Sequence, residues 1–255
     1  MADWHEREVC MAVKAYPNPV EDLGEAVCTA GVDRDGDWIR VYPVAFRDLP
    51  YGQRFKKYQW IRARFKKSSD TRPESHDVDH DSIVCLDVVG TDKGKWTTRR
   101  QLIAPHVLES VEQLQLMAKE GNRTMGYIRP KGTPELVIEE RDAEWPAKKA
   151  GLLAQLSLFA KPRANLERIP FRFAYKFTCE GTACTGHNMQ VLDWEMHEAY
   201  RSWRDQYGDE EWRDKFVEKF GPNFFGQHDV LFNLGNIARY PQSFCITGLF
   251  YPRKA

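Results

Sequence analysis

Alternating hydrophobic and polar positions predict several β-strands in this chain. The clearest alternation lies in residues 169–178, where every second side chain is large and apolar, so that one face is a wall of aromatic rings. Residues 58–65 alternate in the same way. Residues 25–32 and 37–44 flank the turn-forming sequence Asp-Arg-Asp-Gly, which predicts a hairpin. Shorter strands are expected at residues 82–89, 136–140, 189–194, 230–234 and 244–251.

Helical spacing of apolar residues predicts four helices. In the first, Pro105 stands at a favourable first position, apolar residues recur every three or four positions, and Gly121 ends the pattern. Trp145 and Pro146 begin a second pattern, which runs through Phe159. Two further helices are expected between residue 195 and about residue 207, and at residues 210–220.

These elements predict an α+β protein. Residues 1–145 form a β-rich part with one clear helix, and residues 146–255 form a mixed α/β part that contains a Cys/His loop. The boundary is expected within residues 141–165, and the two parts can also pack as one unit.

The charge balance limits the partners that the whole molecule can attract. The 255 residues include 37 basic and 37 acidic side chains, so the formal net charge is zero and any nucleic acid must be held by a local patch. No apolar run is long enough to cross a membrane, and the start of the chain is acidic where a secretory signal would be basic. We expect a cytoplasmic protein without a membrane partner.

One loop has the composition of a metal site. Cys179, Cys184 and His187 supply two thiolates and an imidazole within nine residues, and glycines in the loop permit a tight turn. Structural zinc takes four ligands, so we expect Cys245 on the last strand to be the fourth, with His197 as the second choice. A buried-thiol loop and a redox or nucleophilic cysteine are the alternatives.

A basic and aromatic stretch is the strongest local charge anomaly. Residues 53–67 contain seven basic residues, four aromatic residues and no acid. A strand here would present aromatic rings and guanidinium groups for stacking on bases, with further cations for phosphates. The alternative is a solvated strand face that pairs with the acidic stretch after it. The predicted nucleic-acid-binding residues are Arg54, Lys56, Lys57, Tyr58, Trp60, Arg62, Arg64, Lys66 and Lys67.

Carboxylates offer a second kind of chemistry. Asp193 and Glu195 would share one face of a continuing strand, as in a metal-dependent hydrolase, but no Lys follows two positions after Glu195. The alternative is that Glu195 opens a helix and that Asp193 pairs with a cation. A second group of oxygen and nitrogen ligands, with no recognisable ligand spacing, comprises Glu74, His76, Asp77, Asp79, His80 and Asp81.

Three stretches resemble a family of uncharacterised bacterial proteins. They are the sequence CTAGVDRDGDWIRVYPVAFR near the start, the Cys179/Cys184/His187 loop that runs into LDWE, and the closing ITGLFYP. The resemblance spans most of the chain. It implies no activity, cofactor or catalytic residue.

The function expected first is nucleic-acid binding, to RNA or DNA, by the basic strand, with zinc stabilising the second part. A metal-dependent nuclease or phosphohydrolase built from Asp193, Glu195 and the His/Asp stretch is the enzyme alternative. An assembly subunit that binds a protein partner through aromatic surfaces is the third.

Overall fold

The computed structural model describes residues 3–21, 23–157, 165–181 and 184–254, except for the side chains of residues 155–157. These ranges contain strands and α-helices in the proportions of an α+β protein, which confirms the predicted fold class. The strands are β1 His5–Lys14, β2 Asn18–Val20, β3 Gly24–Asp33, β4 Trp38–Val44, β5 Gln59–Lys67, β6 Ser75–Val78, β7 Val84–Val88, β8 Val107–Leu108, β9 Met125–Ile128, β10 Pro130–Glu140, β11 Phe171–Cys179, β12 His187–Gln190, β13 Leu231–Ile237 and β14 Tyr240–Phe250. The helices are α1 Thr97–Ile103, α2 Val111–Lys119, α3 Ala147–Ser157, α4 Trp194–Phe220 and α5 Pro222–Gln227.

Five strands of the N-terminal part close into a ring. Strand β1 pairs with β3 along one edge and with β5 along the other, and the pairings β3–β4, β4–β6 and β6–β5 complete the circuit. Val9 and Met11 of β1 belong to the core inside this barrel, whereas Cys10 belongs to the core outside it. Strands β1 and β3 approach closely at Gly31 of β3, where a Cβ would lie 2.3 Å from the carbonyl oxygen of Cys10 in β1. Closure leaves the five strands with few free edges.

Two further sheets and the helices form the C-terminal part. One sheet has the order β14-β13-β9-β8 and the other has the order β10-β11-β12. The predicted aromatic face of β11 is confirmed, because Phe173, Tyr175 and Phe177 are buried in a core that also contains Trp212 and Phe216 of α4. The long helix α4 therefore covers this aromatic wall.

A third core joins the barrel to the four-stranded sheet. Trp38 and Trp60 from the barrel side pack in one cluster with Tyr127 of β9 and Phe250 of β14. Strands β9 and β10 precede residue 145, yet they pair with β13 and β11, which follow it. The expected boundary near residue 145 stays a prediction, but the sheets themselves connect the chain across that position.

The structure corrects one predicted helix and confirms two others. The helix expected from Pro105 begins at Val111, because residues 107 and 108 form β8 and the Ser110 hydroxyl caps the helix by accepting from the Gln113 amide. The two helices expected from residue 195 to about residue 207 and at residues 210–220 are confirmed, because α4 consists of two helical segments separated at Gly208, whose φ of 81° is not helical. Residues 158 and 159 of the predicted second helix lie outside the described residues. Within the described part of the chain, no helix is both long enough and apolar enough to span a membrane.

Candidate metal centre and basic cleft

Four potential metal ligands converge where α2 meets the loop between β11 and β12. They are Cys179 at the end of β11, Cys184, His187 at the start of β12, and Glu112 in the first turn of α2, and their ligand atoms all lie within 4.8 Å of one another. The Cys184 Sγ lies 3.2 Å from the His187 Nε2, which lies 3.3 Å from a Glu112 carboxylate oxygen. Ligands of tetrahedral zinc stand roughly 3.3–3.8 Å apart, so a small contraction would complete such a site.

The electrostatics of this group fit a cation. Burial raises the pKa of the Cys179 thiol to about 12 and lowers the pKa of the His187 imidazole. The Glu112 Oε2 is buried and accepts no hydrogen bond from the described residues. A bound divalent ion would neutralise that carboxylate and favour the thiolate form of the cysteines. The group can therefore hold a metal ion.

The predicted fourth ligand is wrong. Cys245 lies on β14 opposite Gly235 of β13 and is not a member of the converging group. The second choice, His197, is buried in α4, where its ring stacks on Tyr16 and its Nδ1 lies 2.8 Å from the Asp193 carbonyl oxygen. The observed fourth member, Glu112, is 67 positions before Cys179, and no local spacing in the sequence connects the two.

The predicted stacking face on β5 is also wrong, because its rings are buried. Only 3% of Tyr58 and 9% of Trp60 is exposed. Tyr58 packs edge-on against Trp96 and Phe250, and the Arg34 guanidinium covers the Trp60 ring at 3.5 Å. Neither ring is open to a base.

Most cations of the same stretch bind groups within the chain, in agreement with the alternative interpretation of a paired strand face. Lys56 is exposed. The observed pairs are Arg62 with Glu8, Arg64 with Asp79, Lys66 with Asp77, Lys67 with the Pro73 carbonyl, and Arg54 with the Arg47 and Leu49 carbonyls. Two of the acidic partners, Asp77 and Asp79, come from the acidic stretch that follows β5.

Lys57 and Asp193 form a buried ion pair that fastens the barrel to the C-terminal part. The Lys57 Nζ lies 2.9 Å from the Asp193 Oδ2 and 3.3 Å from a Glu195 oxygen. Burial alone would lower the pKa of Lys57, but the two carboxylates raise it above its usual value. Asp193 also accepts from the Met196 and Leu249 amides, so it caps α4 and holds β14.

These contacts correct the proposed carboxylate centre. Both oxygens of Asp193 are occupied by Lys57 and backbone amides, and Glu195 stands in the first turn of α4. Neither residue belongs to the metal-ligand group found among the described residues. The capping and pairing alternative is the one that the structure shows.

The His/Asp stretch is dispersed rather than gathered into a centre. The Glu74 carboxylate is buried and accepts from the Thr124 hydroxyl and the Met125 amide, while Asp79 caps a short 3₁₀ helix. His76 lines a polar cleft of about 580 Å³, and the Glu74 carbonyl accepts from its Nδ1 at 2.8 Å. These roles are structural contacts within the fold.

A separate cleft concentrates positive charge. It has a volume of about 680 Å³ and lies between the turn before α1 and the last residues of the chain. No acidic side chain is among the described residues that line it. We call it the basic cleft and define it by Lys93, Lys95, Arg100, Arg253 and Lys254.

The turn that supplies two of these lysines is held in a strained conformation. Asp92, Lys93 and Trp96 all have positive φ values, of 46°, 55° and 55°. The Asp92 carboxylate accepts from the Thr97 amide, and the Arg253 amide donates to the Gly94 carbonyl, so both ends of the turn are fixed. Left-handed residues other than glycine cost roughly 1–2 kcal/mol each and cluster at functional sites.

Family comparisons divide the chain near residue 106. Residues 107–255 match the family described as domain of unknown function (DUF8757), and residues 5–105 match the one described as domain of unknown function (DUF8758). The first match covers more than half of the sequence, so the chain belongs to the DUF8757 family. A comparison with curated proteins gave no match. Membership of an uncharacterised family agrees with the resemblance seen in the sequence.

Removal of the ion pair between Lys57 and Asp193 should greatly lower the free energy of unfolding. Lys57→Met leaves the Asp193 charge buried without its cation, and we expect the free energy of unfolding to fall by about 3–5 kcal/mol. The exposed neighbour Lys56→Met is the matched control and should change it by less than about 0.5 kcal/mol. Urea unfolding of both variants measures the difference, and equal losses would contradict this role for Lys57.

Proposed function

We propose that this member of the DUF8757 family binds the phosphate backbone of nucleic acid in the basic cleft, and that zinc at Glu112, Cys179, Cys184 and His187 stabilises its C-terminal part. The expected partner is still RNA or DNA, but the proposed binding surface is the basic cleft instead of the face of β5. The basic cleft is the observation that carries the proposal.

The charge distribution supports a polyanionic ligand. The chain has no net charge, yet five cations line one cleft whose described lining has no acid. Clefts lined by charges of one sign focus the electrostatic field and raise the local concentration of oppositely charged ligands. Arg100 pairs with Asp229 outside the lining, and Lys93 and Lys95 are exposed and available for phosphates.

The size and chemistry of the cleft support a chain of phosphates rather than a single ion. A volume of about 680 Å³ exceeds what one phosphate group fills. Lysine and arginine contacts to phosphate position a protein on nucleic acid without reading its sequence. The fixed turn at residues 92–96 holds the backbone of Lys93 and Lys95 in place before binding, so that only their side chains must be ordered.

Zinc is the metal that best fits the converging group. Two thiolates favour zinc over magnesium or calcium, and one imidazole and one carboxylate complete a four-ligand set. With all four positions taken by protein, such a site is closed and structural. It would tie the first turn of α2 to the ends of β11 and β12. The protein-partner alternative stays a prediction.

Metal analysis of paired cysteine variants tests the zinc proposal. We expect one zinc ion per chain in the purified protein and in Cys245→Ala, whereas Cys179→Ala should lose the ion and unfold at a lower temperature. Both cysteines are buried, so the pair controls for the loss of a buried thiol. Loss of zinc from Cys245→Ala, or a wild-type protein that takes up no zinc, would contradict the proposed ligand set.

Charge removal from the basic cleft tests the binding proposal. We expect Lys93→Gln/Lys95→Gln to weaken binding of labelled oligonucleotides and to reduce the slope of log K against log salt by about 1.4 for a single strand, from two lost phosphate contacts. The control Lys119→Gln/Lys131→Gln removes two exposed lysines elsewhere and should change neither quantity. Fluorescence anisotropy across a salt series measures both. Equal effects of the two variants, or no wild-type binding at low salt, would sink the proposal.

A further inference from the structure

A second cleft, lined by aromatic rings, lies beside the basic cleft. It has a volume of about 450 Å³, and its lining includes the half-buried rings of Trp203 and Tyr251 and the buried ring of Phe224. Lys215, Glu218, Lys219 and His228 also line it; Glu218 pairs with Lys215 at 3.2 Å, which leaves Lys219 as the lysine not paired with this carboxylate. We call it the aromatic cleft. An open cleft that combines rings with cations has the composition of single-stranded nucleic-acid sites.

The end of the chain connects the two clefts. Tyr251 lines the aromatic cleft and Arg253 lines the basic cleft, and two residues of extended chain span at most about 7 Å. The Lys254 amide donates to the Gln227 carbonyl of the aromatic cleft at 3.0 Å, and the Arg253 amide donates to the Gly94 carbonyl of the basic cleft at 3.0 Å. The segment from Tyr251 to Lys254 is therefore a shared wall.

We infer that the aromatic cleft receives an unpaired base of a single strand whose phosphates lie in the basic cleft. This inference rests on the proposed function and names its substrate class. A base within a duplex is stacked and paired with its neighbours, so it is not free to enter a cleft beside the phosphates. The ligand is a single-stranded nucleic acid.

The rings of the aromatic cleft are held ready for stacking. Trp203 is half-buried and its ring packs against Phe216 and Phe220, with centroids 6.2 and 6.1 Å away. Tyr251 is half-buried between Trp96 and Phe224, each 5.2 Å away. These contacts hold both rings in place where they line the cleft, so that little rotamer freedom is lost when a base stacks.

Polar groups at the cleft can meet the edge of a base. The Nδ1 of His228 lies 3.1 Å from the Phe224 carbonyl oxygen, which only accepts, so this nitrogen carries the proton. In the neutral ring the Nε2 is then left as an acceptor. The amides of Asn223 and Gln227 also line the cleft and offer both donors and acceptors. Such a mixed set tolerates different bases and favours no single sequence.

Binding to intact, abasic and duplex strands tests the inference with the wild-type protein. Abasic sites remove the bases but keep the phosphates, so we expect an abasic single strand to bind roughly 5- to 150-fold more weakly than the intact strand, from the loss of one stacked base. A duplex of the same length should also bind more weakly than the single strand. Equal affinities for intact and abasic strands would overturn the inference without involving any variant. RNA and DNA versions of each strand distinguish the two sources of the base.

A tryptophan variant places the effect in the aromatic cleft. We expect Trp203→Ala to lose affinity for the intact single strand by a similar factor, to leave the abasic strand and inorganic polyphosphate unaffected, and to lose the quenching of tryptophan fluorescence by bases. Trp4→Ala, which removes an exposed tryptophan elsewhere, is the control and should behave as wild type. Retained affinity in a folded Trp203→Ala would overturn the inference. A different result would contradict the proposed function itself: a wild-type protein that binds neither polyphosphate nor duplex.

Discussion

The buried pairing of the Lys57 ammonium with the Asp193 carboxylate is the interaction on which the arrangement of this molecule depends. One carboxylate caps α4, accepts from the backbone of β14 and receives the lysine that precedes β5. Because an uncompensated buried charge is costly, the barrel, the long helix and the last strand hold their positions together. The same pairing turns the start of the basic stretch inward, so that Lys57 and the neighbouring Tyr58 become part of the interior.

Local patterns in the sequence predict much of the fold, because alternation and turn chemistry act over a few residues. The hairpin of β3 and β4, the aromatic wall of β11 and the Cys/His loop all follow from such patterns. These patterns do not predict strand β1, because its first residues are charged and its later residues are buried on both faces. The position of Glu112 beside the Cys/His loop and the partner of Lys57 depend on contacts across more than 60 residues, which no local spacing encodes.

The distribution of charge explains how a neutral chain can present a basic site. Cations on β5 are largely balanced by carboxylates of β1 and of the stretch after β5, so that surface has little net field. In the basic cleft the fold brings a turn before α1 next to the end of the chain, and their cations meet without an acidic side chain in the described lining. Segments about 150 positions apart create this site, so no local pattern in the sequence predicts that their cations meet.

Photo-cross-linking of a single-stranded oligonucleotide, followed by mass spectrometry of the cross-linked peptides, would locate bound nucleic acid on the protein. We expect cross-links in residues 93–101, 253 and 254, at the basic cleft, and at Trp203 and Tyr251 in the aromatic cleft. Cross-links confined to residues 54–67, or spread evenly over the surface, would show that nucleic acid is not bound at these clefts.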